Sequence, residues 1–450
     1  MSNLPAWVIV IPLGGALVSW LLPARAARLA ALLFGGLTLA AVLTLSVSIW
    51  QGLTGEYRLG GIATPLGISL AVDGLAAWML LLSALVNSAA GAFSLRYFGE
   101  TSARFWPAWL LLWGGLNGLA LSADLFTIYV TLELVSLTAV ALVTLSGDRA
   151  ALAAALRYLL AAMLGSLVYL LGVALVYAEH GVLALPLLAR METVSTAMVT
   201  GLVLLTVGLL VKGAIFPFHF WLPEAHAQAP APVSALLSAL VVKAAFYLLL
   251  RLWLFVYGGL DLTQAVPVLG VLGGIAVLYG SVQALRQERL KLLIAYSTVA
   301  QLGYLALALP LLVGTAADVR ALAYQGVAYH MMAHGLIKAA LFLASASVLR
   351  AFGHDRIAEL RGMATSLPLT TFVIGLAAVS LMGLPPSGGF IAKWWLVSAA
   401  IGGGQFIWGA AILLGGLLTA LYLFRLLGIG FPPAAEGSEP GRERRGLVIP

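Results

Sequence analysis

Apolar residues run along this chain in blocks of about 20 positions, the length of helix needed to cross a bilayer, separated by short polar or Gly/Pro-bearing stretches. Thirteen such runs predict helices over 5–23, 29–50, 71–94, 106–122, 124–145, 150–178, 197–220, 231–256, 265–285, 290–312, 322–350, 366–400 and 405–428. Between the second and third runs, residues 51–70 are Gly-rich and mildly polar, which suits a surface loop or short hairpin better than a crossing. The first run, Pro5 to Leu22, has no positive leader and no small-residue cleavage site after it, so it reads as a retained helix and not a signal peptide. The expected fold is an all-α polytopic membrane protein with about 13–14 transmembrane helices.

Composition agrees with that pattern. Of 450 residues, 62% are hydrophobic and 9% charged; a soluble fold of this length could not cover so much apolar surface. The absence of cysteine excludes structural disulfides, thiolate metal sites and iron–sulfur ligation in this chain. A net charge of +7 would suit a nucleic-acid binder, but the positions of the charges say otherwise. With the N-terminus outside, sixteen of the 24 basic residues fall on cytoplasmic ends, among them Arg286, Arg289 and Lys291. Four (Arg58, Arg190, Arg251 and Arg320) fall outside, a positive-inside bias that fixes orientation and calls for no nucleic acid. Gly446–Pro450 reads like the start of another helix, so 429–450 is expected to be a cytoplasmic tail or a truncated last helix.

The remaining basic residues, Lys212, Lys243, Lys338 and Lys393, lie inside apolar runs, while arginine dominates the surface. Arginine stays protonated, whereas a desolvated lysine can release its proton near neutral pH. A charge at mid-bilayer costs at least about 2.5–3.5 kcal/mol, so four of them need a purpose. Static ion pairs that fix helix packing are the bland alternative, but intramembrane acids are too few to pair with all four. Glu133, deep in the fifth run, is the carboxylate placed firmly in the membrane; it is either a gating partner for a lysine or a static salt bridge. Asp73 and Asp124 begin runs and read as helix-start residues near the interface, with a supporting conduction role as the alternative.

The seventh run, Lys212-Gly-Ala-Ile-Phe-Pro217-Phe-His219-Phe-Trp-Leu-Pro223-Glu224-Ala-His226, carries prolines that break the helix soon after Lys212. Broken helices at membrane depth survive only in protein or along a water-filled cavity, which makes them the expected place for an ion site. His219, Glu224 and His226 either help proton uptake or cap the loop. Tyr329-His330-Met-Met-Ala-His334-Gly-Leu-Ile-Lys338 sets three titratable groups at i, i+4 and i+8, one stripe covering about 12 Å of helix. That spacing suits a proton relay; a metal would need a third ligand nearby, so no metal site is expected. The twelfth run is broken at Gly383, Pro385 and Pro386, with Lys393 after the break. Two interrupted runs five apart point to an internal repeat, and the odd number makes it inverted.

At these motifs the chain resembles a known family. The segment from Lys212 through Arg251, LKLLIAYSTVAQLGY over 290–304, HMMAHGLIKAALF, and GLPPSGGFIAKWW look like the antiporter-like subunits of respiratory complex I, membrane-bound hydrogenases and Mrp-type sodium/proton antiporters. The likeness covers about Asp73 to Arg425 and is nearest in style to the Mrp D-type subunit. It implies two inverted five-helix repeats, each with a broken helix, placed at 106–256 and 257–428 after N-terminal helices and a loop over 1–105. It also implies a gating pair of Glu133 and Lys212, a central carrier Lys243, a link through His330, His334 and Lys338, and a terminal Lys393.

The expected function is therefore proton translocation within a multisubunit membrane complex. Sodium exchange is implied by the resemblance alone. Partners would be other membrane subunits, paralogous antiporter-like subunits among them, in a bacterial or archaeal inner membrane. A respiratory NADH–quinone or hydrogenase complex is the alternative parent. A redox subunit that itself binds quinone or haem is the enzyme alternative, but histidines four apart on one helix suit axial haem ligation poorly, so no cofactor and no redox or hydrolytic site is expected in this chain. A scaffold with static charges is the third reading.

Overall fold

The computed structural model describes residues 3–98, 104–190, 195–257 and 264–433, so the expected tail beyond 433 lies outside the described residues. In chain order the elements are α1 (Leu4–Leu21), α2 (Ala24–Trp50), a hairpin of β1 (Gly55–Arg58) and β2 (Ser69–Val72), α3 (Gly74–Tyr97), α4 (Phe105–Leu121), α5 (Leu125–Val143), α6 (Arg149–His180), α7 (Leu185–Leu188) and α8 (Thr196–Lys212). There follow α9 (Leu222–Gln228), α10 (Ala231–Leu236), α11 (Val242–Arg251), α12 (Val266–Arg286), α13 (Leu290–Leu307), α14 (Leu309–Leu312), α15 (Ala317–Phe352), α16 (Met363–Ser366), α17 (Pro368–Met382), α18 (Gly388–Gly402) and α19 (Phe406–Gly430). Among the described residues, ten helical stretches are long and apolar enough to cross a membrane, and each apolar run of the sequence is occupied by helix. The chain is an all-α, multi-pass membrane protein.

Local chemistry sets the helix ends. Asp124 accepts from the amides of Phe126 (2.9 Å) and Thr127 (2.8 Å) to start α5. Asp148 likewise caps α6 through Ala151 N (2.7 Å). Gly181 (φ 67) and Gly353 (φ 75) end α6 and α15 in the left-handed conformation that only glycine adopts freely. Along α6 the exposed positions include Leu156, Leu160, Leu167 and Leu171, so the surroundings of this face are apolar.

Two compact units emerge. The first comprises Met1–Gly91, Phe98–Gly213 and Leu240–Asp261. Within it, α6 and α8 approach closely because both are glycine at the crossing: a Cβ on Gly208 would lie 2.7 Å from the Gly165 carbonyl oxygen. The hairpin pairs Gly55 with Val72 through Arg58 with Ser69. Isolated bridges join Leu70 to Ser122 and Asp124 to Ala184, drawing three connections to one end of the unit.

The second unit comprises Ala92–Tyr97, Ala214–Ala239 and Leu262–Pro450. Its α12 and α13 are seated on each other by Gly273 and Gly303 in the same manner. Arg289 binds Asp355 (2.9 Å), and a bridge between Arg289 and Arg356 ties the start of α13 to the turn after α15.

Helical geometry is interrupted where the sequence carries Pro and Gly. After Lys212, the last residue of α8, the chain runs without helix to Pro217, and Ala214 takes φ 50. Pro223 sits in the first turn of α9. Gly383 (φ 85) closes α17, and Pro385 and Pro386 fill the turn before α18. Between α10 and α11, residues Leu237–Val241 form a π-helical turn, and a second one, Leu252–Val256, follows Arg251. Such widened turns in a helix occur often at functional sites.

Candidate functional site

All five lysines of the chain are buried, including Lys291. Its sequence neighbours Arg286, Glu288 and Arg289 suggest a place among the cytoplasmic surface residues; instead its Nζ donates to the carbonyls of Ala227 (2.8 Å) and Ala229, at the end of α9. Arg251, read as an outer surface charge, is also buried.

In the first unit, α5 presents Glu133 and Ser136 three residues apart on one face. Lys212 Nζ donates to Glu133 Oε1 (3.0 Å) and Ser136 Oγ (2.8 Å). Ser166 of α6 donates to the same carboxylate oxygen. Gly165 leaves room for the lysine stem, since a Cβ there would lie 3.1 Å from Lys212 Cγ. The carboxylate side chain is 24% exposed against 3% for the lysine, so the pair has one wetter partner. Lys243 is fully buried on α11, two residues beyond the π turn. Asp73 starts α3 through Ala76 N (2.8 Å) and also holds Arg251 in two bonds of 2.9 and 3.0 Å. Asp124 is occupied as the α5 cap.

In the second unit a polar face of α13, built from Ile294 O, Ser297, Gln301 and Tyr304, meets α15 in reverse order. Lys338 donates to Ile294 O (2.8 Å) and to Ser297 Oγ. His334 and His330 stand one turn apart with ring centroids 5.5 Å from each other. His330 Nε2 lies 3.2 Å from Gln301 O, and its ring centroid is 5.7 Å from that of Tyr304. Lys393 Nζ lies over the ring of the same tyrosine, 4.7 Å from its centroid. Lys393 reaches back across the break to the carbonyls of Leu381 (2.7 Å) and Met382 (3.2 Å), which close α17. Tyr304 therefore joins the His330–His334–Lys338 stripe to Lys393. Ser297 and Gln301, polar residues four apart inside the apolar run 290–312, are the sequence signal by which this face could have been found.

The supporting residues fall beside these groups. His219 stacks on Phe216 (5.4 Å) and meets Tyr279 edge-on (4.8 Å). Glu224 accepts from Gln228 (3.4 Å) on α9. The His226 ring lies 5.2 Å from Phe342, one turn beyond Lys338 on α15. Among the described residues no group of three His, Asp or Glu side chains is placed to hold a metal ion.

Buried titratable side chains set at helix breaks in a multi-pass helical protein define a membrane subunit of the antiporter-like class. The chain belongs to the family described as NADH:quinone oxidoreductase/Mrp antiporter, TM, which matches residues 122–419. It is 34% identical to the NADH-quinone oxidoreductase subunit N of Desulforudis audaxviator over 100% of this chain and 92% of that protein. To the D-type subunit of the Na(+)/H(+) antiporter of Alkalihalophilus pseudofirmus it is 28% identical, over 85% of this chain and 77% of that one. Among solved structures, a chain of the Mrp complex from Dietzia sp. DQ12-45-1b superposes with a TM-score of 0.90 at 26% identity, covering 99% of this chain and 84% of that chain. Both likenesses anticipated from the motifs, to Mrp and to complex I subunits, hold.

Proposed function

We propose that this chain moves protons across a bacterial or archaeal inner membrane as one subunit of a larger membrane complex. Its partners are other membrane subunits, paralogous antiporter-like ones among them, and its N-terminus lies outside. The observation that carries the reading is the Glu133–Lys212 pair, a buried lysine held by a carboxylate and a serine at the mouth of a helix break. A carboxylate favours the charged form of a neighbouring ammonium, so the closed pair keeps the proton on Lys212 and its opening releases it. Protons then pass by way of Lys243 to His330, His334 and Lys338, and leave through Lys393. Each imidazole can accept a proton on one nitrogen while releasing one from the other. Tyr304, between His330 and Lys393, offers a ring face that stabilises the lysine cation. Asp124, His219, Glu224 and His226 support the path at its ends, and Asp73, paired with Arg251, bounds it.

The two functional halves correspond to 106–256 and 257–428, after an N-terminal part over 1–105. The chain itself carries no cofactor in this reading, and any redox reaction belongs to its partners. Sodium exchange, the Mrp-type version of this activity, rests on the 28% likeness to an antiporter protein. The full-length likeness to an NADH-quinone oxidoreductase protein supports a respiratory complex as the second parent. Replacing Lys243 with Ala in the assembled complex, reconstituted in vesicles with a trapped pH dye, is expected to abolish driven proton flux. Undiminished flux would overturn the relay.

A further inference from the structure

The first unit contains a cavity of about 390 Å³ that the relay does not use. It lies where the hairpin, the start of α5 and the short helix α7 come together, and its lining includes Thr54, Glu56, Asp73, Ala123, Leu185 and Arg251. Thr54 and Gly55 at its rim are exposed, so it opens to the surroundings. All of its connections fall on the side that the distribution of basic residues places outside.

What lies behind the cavity is ordered. Asp73 is the wetter group, its side chain 38% exposed, and Arg251 behind it is 5% exposed. The guanidinium spends its donors on two bonds to the carboxylate and on Tyr247 Oη, which it reaches through Nε (3.0 Å) and Nη2 (2.6 Å). Tyr247 in turn donates to the Ala120 carbonyl (2.5 Å), pinning α11 to the end of α4. Lys243, Tyr247 and Arg251 stand at i, i+4 and i+8 on α11, so one helix face leads from the buried lysine to the base of the cavity over about 12 Å.

A guanidinium keeps its proton under all physiological conditions. Fixed between an open cavity and a buried lysine, it repels a second positive charge at short range in a medium of low dielectric, the device by which an arginine excludes protons and cations from a pore. Asp73 holds the arginine in place and lowers the cost of burying it. We propose that the cavity is a hydrated vestibule open to the outer face, and that the Asp73–Arg251–Tyr247 cluster is a charge barrier that prevents protons on Lys243 from escaping into it. The proposal rests on the reading of Lys243 as a proton carrier. It assigns Arg251 a task that neither the relay nor the packing of α11 requires.

The chain lacks cysteine, which permits a direct test in the full complex. Single cysteines in place of Ala71 and Ala189 should react with a charged, membrane-impermeant thiol reagent added to one face only. In vesicles holding the undriven complex, Arg251→Gln should speed the collapse of an imposed pH gradient several-fold. The exchanged pair Asp73→Arg with Arg251→Asp should return the leak most of the way to the original, which separates a lost barrier from a disturbed fold. Unreactive vestibule cysteines would overturn the proposal. So would an unchanged leak in assembled Arg251→Gln complex, or a loss of driven flux there without a leak, which would put the cluster on the path and not across it. Thiol accessibility does not depend on proton transport, so a failure of the Lys243 relay remains distinguishable from a failure of the vestibule.

Discussion

Lys212 and Lys393 both stand at helix breaks, but the two regions neutralise their ammonium groups by different means. Lys212 is the last residue before its break and faces a full carboxylate, with Ser136 accepting its second bond and Ser166 donating to the carboxylate. Lys393 lies in the second turn after its break and turns back to the end of α17, where the carbonyls of Leu381 and Met382 have no helical partner of their own. It is held by the negative end of a helix and by the face of Tyr304. A carboxylate can swing away or take a proton; backbone carbonyls can do neither. In the proposed relay the first site is therefore the one that changes its grip on a proton, and the second receives one in a fixed field.

The largest expected effect follows from removing the adjustable partner. Glu133→Gln should cut driven proton flux at least about tenfold, the result of some 1.4 kcal/mol or more of altered charge stabilisation at Lys212, while the complex still assembles. Flux in reconstituted vesicles against subunit content on a native gel measures both. Lys393→Arg sharpens the contrast from the other side: the cation and its carbonyl bonds remain, but the proton is no longer released. Flux should fall severalfold or more with assembly unchanged, whereas a purely structural Lys393 would tolerate the exchange.

Smaller effects test the backbone that shapes each site. Gly383 has φ 85, and a Cβ there would lie 2.7 Å from Lys393 Cδ, so Gly383→Ala should cost about 1–2 kcal/mol in stability and displace Lys393. A drop in thermal midpoint together with slower flux is the expected reading. Gly208→Ala, pressing on Gly165 O beside the Lys212 stem, should destabilise the α6–α8 crossing by about 1–3 kcal/mol, seen as a lower midpoint. Smallest is Ala214→Gly in the first break: relief of a left-handed alanine should gain no more than about 1–2 kcal/mol, offset by the greater chain entropy of glycine.

The membrane fold was legible because apolar runs of bilayer length and the asymmetry of basic residues are strong, redundant signals. Lys212, Lys243, Lys338 and Lys393 stood out for the same reason, each being a charge inside an apolar run. Lys291 did not, since it follows three charged or polar positions at a helix start, and only the folded chain carries its amine to Ala227 and Ala229. Arg251 was hidden similarly: its burial depends on Asp73, 178 positions away in sequence. Tyr304, an aromatic residue in an apolar run, has no sequence mark that separates a packing role from its place between His330 and Lys393. Ser136 was readable only as a helix-face neighbour of Glu133; its bond from Lys212, and the bond Ser166 gives to the Glu133 carboxylate, are products of the α5–α6–α8 packing.

The central claim is that these lysines act by gaining and losing protons. Lys212→Arg tests it most directly, because it preserves the charge, the reach to Glu133 and the break that follows, and removes only reversible protonation. With the intact complex in vesicles and a trapped pH indicator, the expected result is normal assembly and near-complete loss of driven proton flux. Flux at the level of the unaltered complex would contradict it and leave Lys212 as a static partner of Glu133.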